Sequence, residues 1–254
     1  MNESGYRYHN QAVASFDALV AKYGSAELSS PLRSTVSLLA YWGRTNALPD
    51  FEGAVGRTIS HPIDLSFEHQ VPVRAGRGKA SHTDLLIRSQ SSVFAIEAKR
   101  AEPPYETVSI WHGAERSPNR TSVLQGWLDL INDTFECTLT ISAVGDLTYQ
   151  LIHRTASACE GSAQTRAVVY QCFDPTGDQT KHYLGQLRRL KEALGPQANL
   201  DLFLMQCVTR PSAEFERLKA RWVRREKGDL SGEIAAGLRN GSLLDFEPSR
   251  STRV

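Results

Sequence analysis

The chain is poor in cysteine and has none of the paired spacings that metal-binding modules use. Cys137, Cys159, Cys172 and Cys207 are scattered with no Cys-x-x-Cys among them, so no structural zinc site is expected. Two of them sit in apolar company, Tyr170-Gln171-Cys172-Phe173 and Met205-Gln206-Cys207-Val208, the setting of reduced, buried thiols. Long apolar runs are missing too. No stretch of about 18 apolar residues occurs, so no membrane-spanning helix is expected. The opening Met1-Asn2-Glu3-Ser4-Gly5-Tyr6 lacks the basic-then-apolar order of a signal peptide. These absences point to a cytoplasmic protein. An excess of one charge is also lacking: 29 Lys and Arg against 28 Asp and Glu leave a formal net charge of +1. The molecule is no polycation, so any binding of nucleic acid has to come from local basic patches. There is no internal repeat, no low-complexity segment, and no helix-turn-helix or zinc module for reading base sequence.

What is present is ordinary globular material, 254 residues with 41% hydrophobic content. That is enough for one large domain, or a core with a smaller helical appendage, without disulfide staples. Val13, Phe16, Leu19, Val20 and Tyr23 recur at helical spacing, which predicts a helix over 10–23 stopped by Gly24. Ser30-Pro31 opens a second helix that runs to Gly43, and Pro49-Asp50 a third through Phe51, Val55 and Ile59. Near residue 64 the period changes. Alternation over 65–73 predicts a strand, 74–80 a glycine-rich basic turn, and 83–88 with 93–99 a hairpin. Three prolines make 101–118 a loop. Helices are then expected at 120–132, 146–159, 183–194 and 213–227, with strands at 167–173 and 200–208. The threonines of 134–144 hint at one more strand. The Ser/Arg-rich tail after Asp245 reads as disordered. The expected fold is an α/β (α+β) mixed sheet flanked by helices. Its organisation would be an N-terminal helical extension (1–48), a core domain (49–227) with an insertion at about 101–144, and a C-terminal helix and flexible tail (228–254).

The chemistry gathers in the hairpin. On a pleated strand Glu97 and Lys99 share a face with Val93 and Ala95, while Phe94, Ile96 and Ala98 take the other. Antiparallel pairing brings Asp84, at the start of its strand, to the end of the next, so two carboxylates and an ammonium converge. Hard oxygen ligands from Asp84 and Glu97, with the Ala98 carbonyl, suit Mg²⁺ or Mn²⁺. Such an ion acidifies its water and offsets charge developing on a phosphoryl group. Lys99 can position or help deprotonate that water, or neutralise the phosphate. Glu-x-Lys alone is weak, since a surface ion pair at a strand end has the same pattern; the apolar strand and the upstream Asp give it weight.

His82-Thr83-Asp84, a hairpin, then Ile96-Glu97-Ala98-Lys99 resembles the signature of the PD-(D/E)XK nuclease superfamily, the restriction-endonuclease-like fold. The resemblance covers roughly residues 50–210 and implies a metal-dependent endonuclease. Asp84 and Glu97 would be metal ligands, Lys99 the catalytic lysine, and Mg²⁺ or Mn²⁺ the cofactor. Thr83 stands where the name-giving proline would be. Family members also carry a further acid on an early helix or strand, which either Glu52 or Glu68 matches. Some branches carry a glutamine on a later helix and, four residues on, a tyrosine or basic residue. Gln150 and Arg154 fit that spacing and face, and would hold the substrate phosphate or orient the lysine, with Gln125 as the competing glutamine. His82 is a further supporting candidate.

Arg74, Arg77 and Lys79, in the turn ahead of the hairpin, are candidate phosphate-backbone contacts. The final helix carries Arg217, Arg221 and Arg224, but Glu214, Glu216 and Glu226 offset them, so it reads as a solvated face. DNA is the expected partner and RNA the other candidate. A homodimer or partner subunit fits duplex cutting. The rival function is a catalytically silent nucleic-acid-binding or interaction module on the same fold.

Overall fold

The computed structural model describes residues 4–113 and 117–254. Residues 1–3, where no signal peptide is expected, and 114–116, inside the expected 101–118 loop, lie outside the described residues. The chain opens with strands β1 (Ser4–Tyr8) and β2 (Gln11–Val13) and helices α1 (Phe16–Val20), α2 (Ser34–Trp42) and α3 (Ala47–Val55). A meander follows: β3 (Ile63–Val71), β4 (Ser81–Arg88) and β5 (Ser92–Lys99). Then come α4 (Val108–His112), α5 (Pro118–Phe135), α6 (Tyr149–Ala158), β6 (Thr165–Phe173), α7 (Gly177–Leu194) and β7 (Asp201–Cys207). The chain closes with β8 (Thr209–Pro211), α8 (Ala213–Val223), α9 (Leu230–Arg239), β9 (Leu244–Phe246) and β10 (Arg250–Arg253).

Eight strands form one mixed sheet in the order β10-β7-β6-β5-β4-β3-β1-β2. The β3–β4–β5 ladders are antiparallel, whereas β5–β6, β6–β7 and β1–β3 are parallel, each parallel step bridged by helices. Helices cover both faces, giving the mixed α/β class that the strand and helix order implies. Alternation along β5 assigns the faces. Phe94, Ile96 and Ala98 enter one core with Val36, Leu39, Phe51, Phe215 and Ile234. Val93 and Ala95 enter the other with Trp127, Leu128, Leu151, Ile152 and Leu187. Glu97 and Lys99 therefore lie on the face that α5 and α6 cover.

Several boundaries depart from the sequence reading. The helix expected over 10–23 is a hairpin strand followed by the five-residue α1, because Asn10 turns the chain with a left-handed φ of 66° and Ser15 caps α1 through Ala18 N–H. The N-terminal segment thus adds two strands to the sheet as well as helices. Ser30 caps only a turn, its Oγ accepting from Leu32 N–H, and α2 starts at Ser34. The expected 101–118 loop contains α4, and 134–144 forms no strand: Glu136 in a left-handed conformation ends α5, and turns follow. The tail after Asp245 is ordered. β10 pairs antiparallel with β7, Arg253 pairs with Asp201, and Ser249 donates to Asp50. A Ser/Arg composition reads as solvated tail only when no unpaired sheet edge is waiting for it. Among the described residues no helix is long and apolar enough to cross a membrane.

Candidate active site

The strands diverge where the chemistry begins. The last β4–β5 pair is Leu85 with Ile96, while β5 stays paired with β6 as far as Lys99. Ala98 N–H is thereby left without a β4 carbonyl, and Asp84 Oδ2 accepts from it at 2.8 Å. This contact fixes Asp84 beside the Glu97–Lys99 end of β5, the convergence that hairpin pairing predicts.

Alternation in β3 also reverses here. Leu65 and Phe67 face the core under α2 and α3, yet Val71 packs in the opposite core and His69 Nε2 reaches Glu160 Oε2 at 2.8 Å, just past α6. In an undisturbed strand residues 65, 67, 69 and 71 share one face. The switch sits at Glu68, whose φ of 46° is left-handed, unusual for a glutamate inside a strand. β4 switches at the same level. Leu85 faces the first core, while Thr83 Oγ1 meets Ser157 Oγ at 2.7 Å and Ser81 Oγ meets His153 Nδ1 at 2.9 Å, both on α6. Thr83 thus ties β4 to the helix that carries Gln150 and Arg154.

Both of those side chains reach the cluster. Lys99 Nζ lies 2.7 Å from Glu97 Oε1 and donates to Gln150 Oε1 at 2.7 Å. Arg154 donates from Nε to Glu97 Oε2 in a short contact and from Nη2 to Asp84 Oδ1 at 3.4 Å. Glu97, Lys99 and Arg154 are buried, whereas the Asp84 side chain stays 24% exposed and forms the open side of the group. Burial alone would raise Glu97, but Arg154 and Lys99 outweigh it and hold its carboxyl below the ordinary value. Burial works to lower Lys99, yet Glu97 beside it raises the ammonium's pKa, so it stays charged. Asp84 is raised to about 7 by burial and by the charge of Glu97, with Arg154 and Lys99 opposing. Glu68 is raised to about 8 by burial and by Asp84.

The remaining candidates separate. Glu68 joins the centre electrostatically, and its Oε2 lies 3.6 Å from His82 Nδ1 at the rim. Burial, His9 and Arg154 lower the His82 imidazole. Glu52 does not join: its Oε1 accepts from Ile59 N–H at 2.6 Å, closing the end of α3. Gln125 donates to Asp129 at 2.7 Å and lines a cavity of about 850 Å³ with Val108, His112 and Gly145, away from the cluster. Arg77 and Lys79 line a cavity of about 300 Å³ with Tyr149 and His153 of α6, whereas Arg74 lines another with Arg88 and Glu160.

Residues 11–219 match a family described as a domain of unknown function, DUF6946. The chain belongs to that family. The matched span of this DUF6946 member runs from β2 into α8 and includes Asp84, Glu97, Lys99, Gln150 and Arg154. No curated protein and no solved structure matches the chain.

Sequence reasoning missed Tyr23 and His9. Parallel pairing of β1 with β3 sets Tyr8 opposite Phe67, and His9 N–H donates to Phe67 O at 3.2 Å. His9 then stacks on Tyr8 and meets His82 edge-on, with centroids 5.0 Å apart. The Tyr23 hydroxyl is sealed without a partner among the described residues, and burial with the charge of Glu68 raises its pKa. A pairing between residues about 60 apart leaves no trace in local periodicity.

Proposed function

We propose that this protein is a cytoplasmic, metal-dependent phosphodiesterase that hydrolyses nucleic acid, with DNA the favoured substrate and a restriction-endonuclease-like core. The observation that carries this reading is the junction at which Asp84, Glu97 and Lys99 meet, with Gln150 clamping the lysine. Asp84, Glu97 and the Ala98 carbonyl would hold Mg²⁺ or Mn²⁺, with Glu68 as a further oxygen donor nearby. These ligands fit a hard divalent cation in kind, and burial, with neighbouring carboxylates second, raises Asp84 and Glu68, a setting in which a bound cation would favour their ionised form. Among the described residues no group of three or more metal-type side chains is arranged ready for a metal. Arg154 holds Asp84 Oδ1 and Glu97 Oε2, the carboxylates that would hold the ion.

When bound, the metal supplies an acidic water and a counter-charge for the phosphoryl oxygens. Lys99, held between Glu97 and Gln150, would supply positive charge for the phosphate or position the attacking water. Gln150 locks the Nζ on the reacting side, which avoids reorganisation during the reaction. The balanced pairing of Arg154 with both carboxylates also favours a second reading, a silent nucleic-acid-binding module, because a closed ion network needs no metal.

The deciding experiment incubates the protein with supercoiled plasmid, linear duplex, single-stranded DNA and RNA in Mg²⁺, Mn²⁺ or EDTA. Asp84→Asn, Glu97→Gln and Lys99→Met run in parallel. Metal-dependent cutting reduced at least about 100-fold in each variant is the expected result, and the preferred substrate settles DNA against RNA. Nucleic-acid binding without cutting or metal uptake would replace the hydrolase with the silent module.

A further inference from the structure

We infer that Arg154 is the phosphate-binding residue of this centre and that, before substrate arrives, its guanidinium stands in for the divalent metal. The inference rests on the hydrolase reading and adds how substrate and metal enter together.

All four oxygens of Asp84 and Glu97 already have partners. Glu97 Oε1 faces Lys99 Nζ at 2.7 Å and Oε2 accepts from Arg154 Nε. Asp84 Oδ2 accepts from Ala98 N–H at 2.8 Å and Oδ1 accepts from Arg154 Nη2 at 3.4 Å. The lysine and backbone contacts are fixed by β5 itself. The oxygens on which Asp84 and Glu97 could share an ion are therefore the two that one guanidinium now bridges. A divalent cation added without moving Arg154 would press three positive charges together in a buried space, where repulsion is poorly screened.

The arrangement also shows how the guanidinium can leave. Its hold on Asp84 is long, and Nη1 has no protein acceptor among the described residues. A phosphodiester is a monoanion whose two free oxygens match the guanidinium fork. By exchanging carboxylate for phosphate, Arg154 keeps charge-assisted hydrogen bonds and frees both carboxylates at once. The metal then enters a site whose added charge the phosphate helps to balance. Metal and nucleic acid should accordingly strengthen each other's binding by the same factor. Gln150, one turn earlier on α6, does not move in this exchange, so Lys99 stays aimed while Arg154 changes partner.

The test reads metal binding rather than turnover. Mn²⁺ is titrated into the full chain, and free ion is followed by electron paramagnetic resonance, with and without a phosphorothioate-linked DNA oligonucleotide. Wild type alone should bind Mn²⁺ weakly, and the oligonucleotide should tighten binding at least about tenfold. Arg154→Gln should bind Mn²⁺ about tenfold more tightly than wild type without DNA and gain little when DNA is added. Arg154→Lys, which keeps the charge but not the fork, should stay weak. A merely structural arginine would lower stability in both variants and leave Mn²⁺ affinity unchanged or reduced. Mn²⁺ affinity of wild type that is indifferent to the oligonucleotide overturns the inference without any variant. If such a protein still cuts DNA, only the role of Arg154 is lost; if it neither binds Mn²⁺ nor cuts, the hydrolase reading falls with it.

Discussion

Glu68 combines a left-handed φ of 46° with a carboxyl raised to about 8. Non-glycine residues in that conformation typically cost about 1–2 kcal/mol, so the fold holds this side chain in place against a local preference. Its titration has a definite sign. The ordinary carboxyl value is 4.5, so between 4.5 and about 8 the folded chain keeps a proton that the unfolded chain has lost. Stability therefore falls as pH rises through that window, with a limiting slope of about 1.4 kcal/mol per pH unit for one proton. Glu68→Gln mimics the protonated form and removes this contribution. The variant should melt near wild type at pH 4 and measurably above it at pH 8.5, with hydrolysis reduced if the carboxylate assists the reaction. A wild-type-to-variant difference in melting temperature that stays constant across that range would mean that Glu68 titrates alike in the folded and unfolded chain.

At the level of elements, the hairpin was legible because period-two alternation, a polar connection and an isolated Glu-x-Lys all lie within 20 residues. The same local logic placed Gln150 and Arg154 on one helix face. It could not separate Glu52 from Glu68, because the choice depends on how α3 and β3 pack. It also misjudged β1, β2 and β10, short polar strands whose pairing comes from distant edges. The basic turn at 74–80 belongs with these. Its glycines suggest a free loop, yet Asn119 accepts from Arg77 N–H at 2.6 Å and donates to Arg77 O at 2.8 Å, docking the turn on α5. Gly76 has a φ of 76°, and a Cβ there would meet Val123 Cγ2 at 2.8 Å and Asn119 O at 3.0 Å. Gly76→Ala should therefore cost about 2 kcal/mol, seen as a lower denaturation midpoint; an unchanged midpoint would show that the turn is undocked in solution.

Across the whole molecule a net charge of +1 leaves no general attraction for nucleic acid, so the distribution of unpaired cations decides where a strand can lie. The basic face of α8 is spent internally: Arg217 and Arg221 pair with Glu233, and Arg224 pairs with Glu226 at 2.6 Å. Arg77 and Lys79 are exposed, in no ion pair among the described residues, and line the cavity beside Tyr149 and His153. Those two residues share the N-terminal half of α6 with Gln150, and Arg154 follows at its middle. Arg74 lies instead with Cys159 and Glu160 beyond the far end of that helix, about 15 Å along its axis from Tyr149 at 1.5 Å per residue, with Arg154 midway between. A phosphate backbone that runs from Arg154 past Gln150 towards Tyr149 passes Arg77 and Lys79 and leads away from Arg74. The double substitution Arg77→Ala, Lys79→Ala should weaken binding to every sequence alike. It should also reduce the salt dependence of affinity by about two charges, whereas Arg74→Ala leaves both almost unchanged. Fluorescence anisotropy of a labelled oligonucleotide over a salt series, with Asp84→Asn as background to prevent cutting, measures this directly. An equal loss from Arg74→Ala would put the strand across both ends of α6 and would require a different path past the Asp84 opening.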